Sequence, residues 1–175
     1  VALNDVSVTI NKDDFVTIIG SNGSGKSTFF NTISGLYTPD SGTILLDNTD
    51  ITNLKEFKRA SLIGRVFQDP LIGTAGDMSV LENLYLAYKK GEKRKLKWVF
   101  NKKDEEYVYE MVKNLDLGIE NNLNQKIKFL SGGQRQAITL LMATLKKPKL
   151  LLLDEHTAAL DPKTANIVLE LTKKI

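Results

Sequence analysis

The 175-residue chain contains no cysteine, which excludes disulfides and thiolate metal sites. That suits a cytosolic protein without requiring one. No stretch approaches the roughly 18 apolar residues of a membrane span, so the chain is not by itself an integral membrane protein. It lacks a signal-peptide pattern, an internal repeat and a low-complexity segment. Excess charge is also scarce, with a net of +3. What remains is ordinary globular composition, 42% hydrophobic and 26% charged, enough for one domain with a substantial core. Both ends read as incomplete: Val1 already lies in a strand-like pattern, and Lys173-Lys174-Ile175 reads as mid-helix.

The small net charge is unevenly placed. Lys89 to Lys103 holds eight Lys/Arg and one Glu, a local charge of +7. Such a run is usually a solvated face. With Trp98, Val99 and Phe100 inside it, contact with an acidic membrane surface or a partner subunit is the other reading. Nucleic acid is not expected, because no other basic stripe supports it.

The most informative stretch is Gly20-Ser21-Asn22-Gly23-Ser24-Gly25-Lys26-Ser27, completed by Thr28. It fits the phosphate-cradling pattern G-x-x-x-x-G-K-[ST] without a mismatch. Phe15–Ile19 before it reads as a buried strand. Phe29, Phe30, Ile33 and Leu36 after it have the spacing of one helix face. Glycines let successive backbone N–H groups point at phosphate oxygens, and the following helix N-terminus adds its positive dipole end. Lys26 is placed to reach the β- and γ-phosphates, and the Ser27 hydroxyl to hold Mg²⁺. A glycine-rich turn with an exposed lysine is the plain alternative. Alone, the loop does not separate a kinase, a GTPase, a helicase or a transport motor.

Around it the pattern alternates. Strands are expected at Asn4–Ile10 and Phe15–Ile19, joined by the turn Asn11–Asp14, and again at Thr43–Leu46 and Ile63–Gln68. A short polar helix is expected over Lys55–Ala60. From residue 71 the character is helical: Ser79-x-x-Glu82 is a capping box, and Leu81, Leu84, Tyr85 and Tyr88 share a face. Val108, Met111, Val112 and Leu115 form a second amphipathic face. Ser131 is suited to cap a long apolar helix that runs to about Leu145 and stops before Pro148. Leu150–Leu153 is an apolar strand that ends in Asp154-Glu155, and Ala158–Pro162 leads into a last helix.

Three further elements carry chemistry. Strand ends in α/β sheets place their C-terminal residues at a ligand crevice. Asp154 can contribute an oxygen to Mg²⁺, and Glu155 can polarise the water that attacks the γ-phosphate. Two acids capping a buried strand is the alternative. The Gln68 amide can bond Mg²⁺ or its water together with the attacking water, though a lone Gln after a strand is weak evidence. In Leu130-Ser131-Gly132-Gly133-Gln134, a hydroxyl, two glycines and a helix N-terminus make a second anion-binding surface. Two such surfaces in one chain suggest two triphosphates sandwiched between two protomers, each touching the loop of one chain and Ser131/Gly133 of the other.

On these residues the chain resembles the ATP-binding domain of ABC ATPases over essentially its whole length. Gly20–Thr28 aligns with Walker A, Gln68 with the Q-loop glutamine and Leu130–Gln134 with the signature motif. Leu150–Asp154 looks like Walker B, Glu155 like the catalytic glutamate, and Ala159-Leu160-Asp161 like the D-loop, which adds Asp161 to the nucleotide contacts. The resemblance implies an α/β P-loop NTPase core, a mostly parallel sheet flanked by helices. An N-terminal antiparallel β portion accompanies it, and a helical subdomain at 71–130 is inserted in a core of 1–70 plus 131–175. The family's adenine-stacking aromatic would precede Val1, and its switch histidine would follow Ile175. His156, directly after Glu155, is read as a positioning residue in the loop.

The expected cofactors are ATP and Mg²⁺. The expected partners are a second copy in an ATP-sandwich homodimer, a membrane permease and, indirectly, a substrate-binding lipoprotein. The location implied is peripheral, on the cytoplasmic face of the plasma (inner) membrane. Phe67-Gln68-Asp69-Pro70 with Gly73–Ala75, and Asp154–Thr164, resemble a bacterial importer subgroup linked to tryptophan or tyrosine uptake. The competing class is a soluble ABC ATPase acting in translation or DNA maintenance. A non-hydrolysing regulator is disfavoured by Glu155.

Overall fold

The computed structural model describes residues 2–91, 102–155, 160 and 162–173. The chain divides into two compact units, one up to Arg59 and one from Ala60 onward. The expected helical segment 71–130 shares the second unit with residues 60–70 and with the chain from 131.

The first unit contains α1 (Lys26–Ser34), β1 (Leu45–Leu46), β2 (Thr49–Asp50) and α2 (Glu56–Arg59). α1 ends at Gly35, whose φ of 88° lets it close the helix by donating to Asn31 and Thr32 carbonyls. β1 and β2 pair antiparallel, Leu45 with Asp50 and Leu46 with Thr49. Between them Asp47 and Asn48 both take positive φ, 47° and 60°. This is the backbone of a two-residue hairpin turn whose twist matches the strands. Ile51 N–H donating to Ile44 O at 2.9 Å extends the ladder outward.

Arg59 organises this unit. It is 1% exposed. Its Nε donates to Leu54 O (2.9 Å), its Nη1 to Thr32 O and Ile33 O (2.8 and 2.7 Å), and its Nη2 to Thr52 O (2.7 Å). The guanidinium thus collects carbonyls at the C-terminal, negative end of α1 and ties them to the hairpin. Burial pushes its pKa down from the ordinary value, and nearby Asp50 opposes that shift.

Residues 3–19 depart from expectation. The turn Asn11–Asp14 forms, with Asp14 N–H donating to Asn11 O at 3.2 Å. The flanking strands do not: no described strand covers Asn4–Ile10 or Phe15–Ile19. Nor is Phe15–Ile19 buried, since Phe15 is 83% and Ile19 91% exposed. Asp5 and Asp13 at φ 48° and 67° interrupt the extended backbone. A strand exists only through a partner's hydrogen bonds, which a single segment's alternation does not supply.

The second unit contains β3 (Ile63–Val66), α3 (Val80–Tyr88), α4 (Lys102–Lys113), α5 (Gly132–Thr144), β4 (Leu150–Leu153) and α6 (Pro162–Lys173). Short 3₁₀ turns lie at Ile119–Asn122 and Ile127–Phe129. α3 begins at a full capping box, with Ser79 and Glu82 each accepting from the other's N–H. The core joins β3, the helices and the 3₁₀ turns. Val66, Val80, Leu84, Val112, Ile127, Ala137, Ile138 and Val168 are all 0% exposed. Each large apolar side chain buried here contributes about 1.5–3 kcal/mol. α5 carries apolar residues through Ala137–Leu141 and packs on α3, α6 and β3.

That last contact depends on a missing side chain. A Cβ at Gly64 of β3 would lie 2.6 Å from Ala143 O of α5 and 2.9 Å from Leu151 Cδ1. β3 and β4 run parallel in the register Ile63↔Leu150 to Val66↔Leu153.

Replacing Arg59 with Met should destabilise the protein by about 3–5 kcal/mol, because four carbonyls lose their donors. Urea unfolding measures this. Arg59→Lys should recover little, since an ammonium cannot span the same fork. A midpoint within error of wild type for Arg59→Met would refute the role.

Candidate active site

The phosphate loop and the strand-end acids lie in different units and are described separately. In the first unit, Gly25 is the N-cap of α1 at φ 94°, and a Cβ there would lie 2.7 Å from Ala2 O. The position therefore needs glycine for both its backbone and its crowding. Ser24 N–H donates to Ser21 O at 3.2 Å, closing the turn that carries Gly23 at φ 83°. Lys26 folds back over the loop, its Nζ donating to Gly20 O at 2.7 Å and Ser21 O at 3.0 Å. An ammonium has three donors, so one remains for an anion above the loop. Gly20, Ser21, Asn22, Gly23, Ser24 and Ser27 are exposed; Gly25, Lys26 and Thr28 are half-buried. The first N–H groups of α1 have no partner within the helix and add to the same anion-binding face.

In the second unit, the β3–β4 register brings together residues far apart in the chain. Asp154 N–H donates to Val66 O at 3.1 Å, carrying the ladder one step past β4. Gln68 Nε2 then donates to Glu155 Oε2 at 2.9 Å across 87 positions. Glu155 has φ 43°, a left-handed backbone that costs about 1 kcal/mol outside glycine. Asp154 lies beside a residue that sequence reasoning passed over: Arg65 Nη2 is 3.9 Å from Asp154 Oδ2. The loop after Gln68 is pinned too. Asp69 Oδ1 accepts from Leu71 N–H, and buried Asn83 exchanges hydrogen bonds with both N–H and C=O of Ala75. The Asn83 clamp had no sequence signal.

At the start of α5, Ser131 caps the helix. Its Oγ accepts from Gln134 N–H at 3.2 Å, while Gln134 Oε1 accepts from Ser131 N–H at 3.1 Å. Gln134 Nε2 donates to Leu117 O at 3.2 Å. The amide expected to touch nucleotide is therefore engaged within its own chain. Ser131 and Gly132 are exposed, a Cβ at Gly132 would meet nothing within 4 Å, and Gly133 is buried. The open face belongs to Ser131 and Gly132. Asp161 and His156 lie outside the described residues, as do positions 92–101 of the basic run.

The donor set suits a hard divalent cation. In the second unit Asp154 offers carboxylate oxygen and Gln68 keeps its amide oxygen while its nitrogen serves Glu155; in the first unit, taken by itself, Ser27 offers a hydroxyl. No histidine or thiolate is among them.

A phosphate loop opening a helix, and a parallel strand pair ending in Gln, Asp and Glu, define a P-loop nucleoside triphosphatase of α/β fold. Within that class the chain belongs to the ABC transporter family, whose profile matches residues 3–158. It is 52% identical over 171 residues to a tyrosine transport ATP-binding protein of Clostridioides difficile, covering 98% of this chain and 68% of that one. It is 36% identical over 173 residues to a phosphonates import ATP-binding protein of Lactobacillus acidophilus, covering 94% of this chain and 65% of that one. Among solved structures it is similar to an ATP-binding cassette in a dimeric post-hydrolysis state bound to ADP and Pi. There the TM-score is 0.82 at 32% identity, covering 99% of this chain and 74% of the other. A nucleotide-free cassette from an ABC transporter gives a TM-score of 0.79 at 33% identity, covering 99% of this chain and 72% of that one. The chain thus spans about two thirds of these two relatives' length and carries the P-loop NTPase fold of ABC cassettes.

Lys26→Ala should weaken binding of a fluorescent ATP analogue by tenfold or more, about 1.4 kcal/mol, by removing a charge-assisted phosphate contact. Equal affinity in the variant would remove Lys26 from the site.

Proposed function

We propose that this chain is the ATP-hydrolysing cassette of an ABC importer, working as an ATP-closed homodimer on a separate membrane permease. The observation that carries the reading is the Gln68–Glu155 hydrogen bond at the end of the parallel strand pair. It sets a carboxylate and an amide side by side, the pair of groups that activating an attacking water calls for. Glu155 polarises that water as general base, and Gln68 orients the carboxylate that does so. Lys26 and the α1 N-terminus hold the β- and γ-phosphates and the charge that develops on them. Ser27, Gln68 and Asp154 would hold Mg²⁺, which when bound neutralises charge on the phosphate oxygens. Ser131 and Gly132, exposed at the α5 N-terminus, would face the triphosphate held by the second copy together with Gly133, and the family resemblance adds Asp161 to those contacts.

The importer reading is supported by relatives named for import of phosphonates, methionine and spermidine/putrescine. For cargo, the relative named for tyrosine transport favours an aromatic amino acid. A substrate-binding lipoprotein would then deliver it to the permease. No helix among the described residues is long and apolar enough to cross a membrane. Attachment at the cytoplasmic face would run through the permease. The helices of 71–130 would be the part that passes closure to it. A soluble ABC ATPase of translation or DNA maintenance is not favoured, because these relatives are transport proteins.

Glu155→Gln in the full-length protein should retain ATP binding, lower turnover by about 10²–10⁴-fold and trap an ATP-bound dimer. Phosphate release and sizing chromatography check this together. Ser131→Arg should leave nucleotide binding by the monomer intact while abolishing the dimer. Undiminished turnover sinks the catalytic assignment, and a persistent Ser131→Arg dimer sinks the sandwich.

A further inference from the structure

Asp154 and Glu155 place two like charges on consecutive residues, and each meets a different side chain from β3 and its extension. Gln68 serves Glu155. Arg65 serves Asp154: the Nη2–Oδ2 separation is 3.9 Å, with the two side chains only 13% and 23% exposed. The same guanidinium stacks on Phe67, its Cζ 4.4 Å from the ring centroid. Strand periodicity accounts for the pairing. Arg65 and Phe67 are two residues apart, as are Leu152 and Asp154, and Arg65 is in register with Leu152.

We infer that Arg65 is a positioning residue for Asp154, a built-in counter-charge that orients its carboxylate and limits how tightly a divalent cation is held there. The inference rests on the reading of Asp154 as a metal ligand. At 3.9 Å the contact is longer than the roughly 2.7–2.9 Å of a closed charge-assisted bond, so the carboxylate is steadied without being locked. The Phe67 ring, 4.4 Å from the guanidinium carbon, helps to keep the positive charge in place. A cation that bonds Asp154 must then approach Arg65 as well. Repulsion between a guanidinium and a divalent ion a few ångströms away, at the dielectric of a part-buried site, weakens binding by tenfold or more. Arg65 thereby relieves the repulsion between the two acids while the metal is away, and it favours metal release with product.

The test uses the full-length protein and a fluorescent ATP analogue titrated with Mg²⁺, alongside Mn²⁺ binding followed by electron paramagnetic resonance. Arg65→Met should lower the Mg²⁺ midpoint and the Mn²⁺ dissociation constant by about tenfold or more, with nucleotide affinity in EDTA unchanged. Arg65→Lys, which keeps the charge, should stay within about twofold of wild type; Asp154→Asn should raise the midpoint more than tenfold. If Asp154→Asn shifts the midpoint and Arg65→Met does not, the role of Arg65 is overturned while the metal reading stands. If Asp154→Asn shifts nothing, both fall. Thermal melting identifies a misfolded Arg65→Met; Arg65→Gln then takes its place with the same expected shift.

Discussion

The candidate site depends on the parallel pairing of two four-residue strands. β3 and β4 are short, yet their register decides which side chains meet at the end where the acids lie. A slip of one residue would turn every side chain of one strand to the other face. Gln68 would then no longer reach Glu155, nor Arg65 Asp154. The register is held by burial on both strands, by Lys149 N–H donating to Leu62 O below the ladder and by Asp154 N–H donating to Val66 O above it. Gly64 lets α5 come close enough to cover the pair. The helix that begins at Ser131 therefore also packs the strands that end at Gln68 and Glu155.

The first unit solves a different problem. A phosphate loop must be crowded with inward-facing N–H groups yet stable without an anion. Here Lys26 crosses the loop and bonds two of its carbonyls, while Gly25 occupies a position open only to glycine. At the far end of α1, Arg59 supplies the positive charge that the helix C-terminus favours and binds the hairpin to it. The helix carrying the phosphate-binding N-terminus is thus anchored by its opposite end.

Local signals were legible where the chemistry is local. The phosphate loop, the Ser79–Glu82 capping box, the Ser131 cap and the apolar faces of α3 and α4 follow from spacing within a dozen residues. The strands expected over residues 3–19 were misread, because alternation describes a segment's side chains and not whether a partner bonds its backbone. β2 was missed for the opposite reason: two residues are too few for periodicity, although Asp47-Asn48 was a usable turn signal. Arg59 looked like one more charge in a polar helix, and Arg65 like a polar interruption in an apolar strand.

The sequence by itself determined the family and the class of nucleotide chemistry, and it nominated the residues proposed to carry that chemistry, because phosphate binding needs particular residue types at close spacing. The tertiary structure alone decided which of them touch. It joined Gln68 to Glu155, committed Gln134 to its own helix cap and set Arg65 against Asp154. Those pairings follow from strand register and burial, which arise between segments far apart in the chain and leave no local mark.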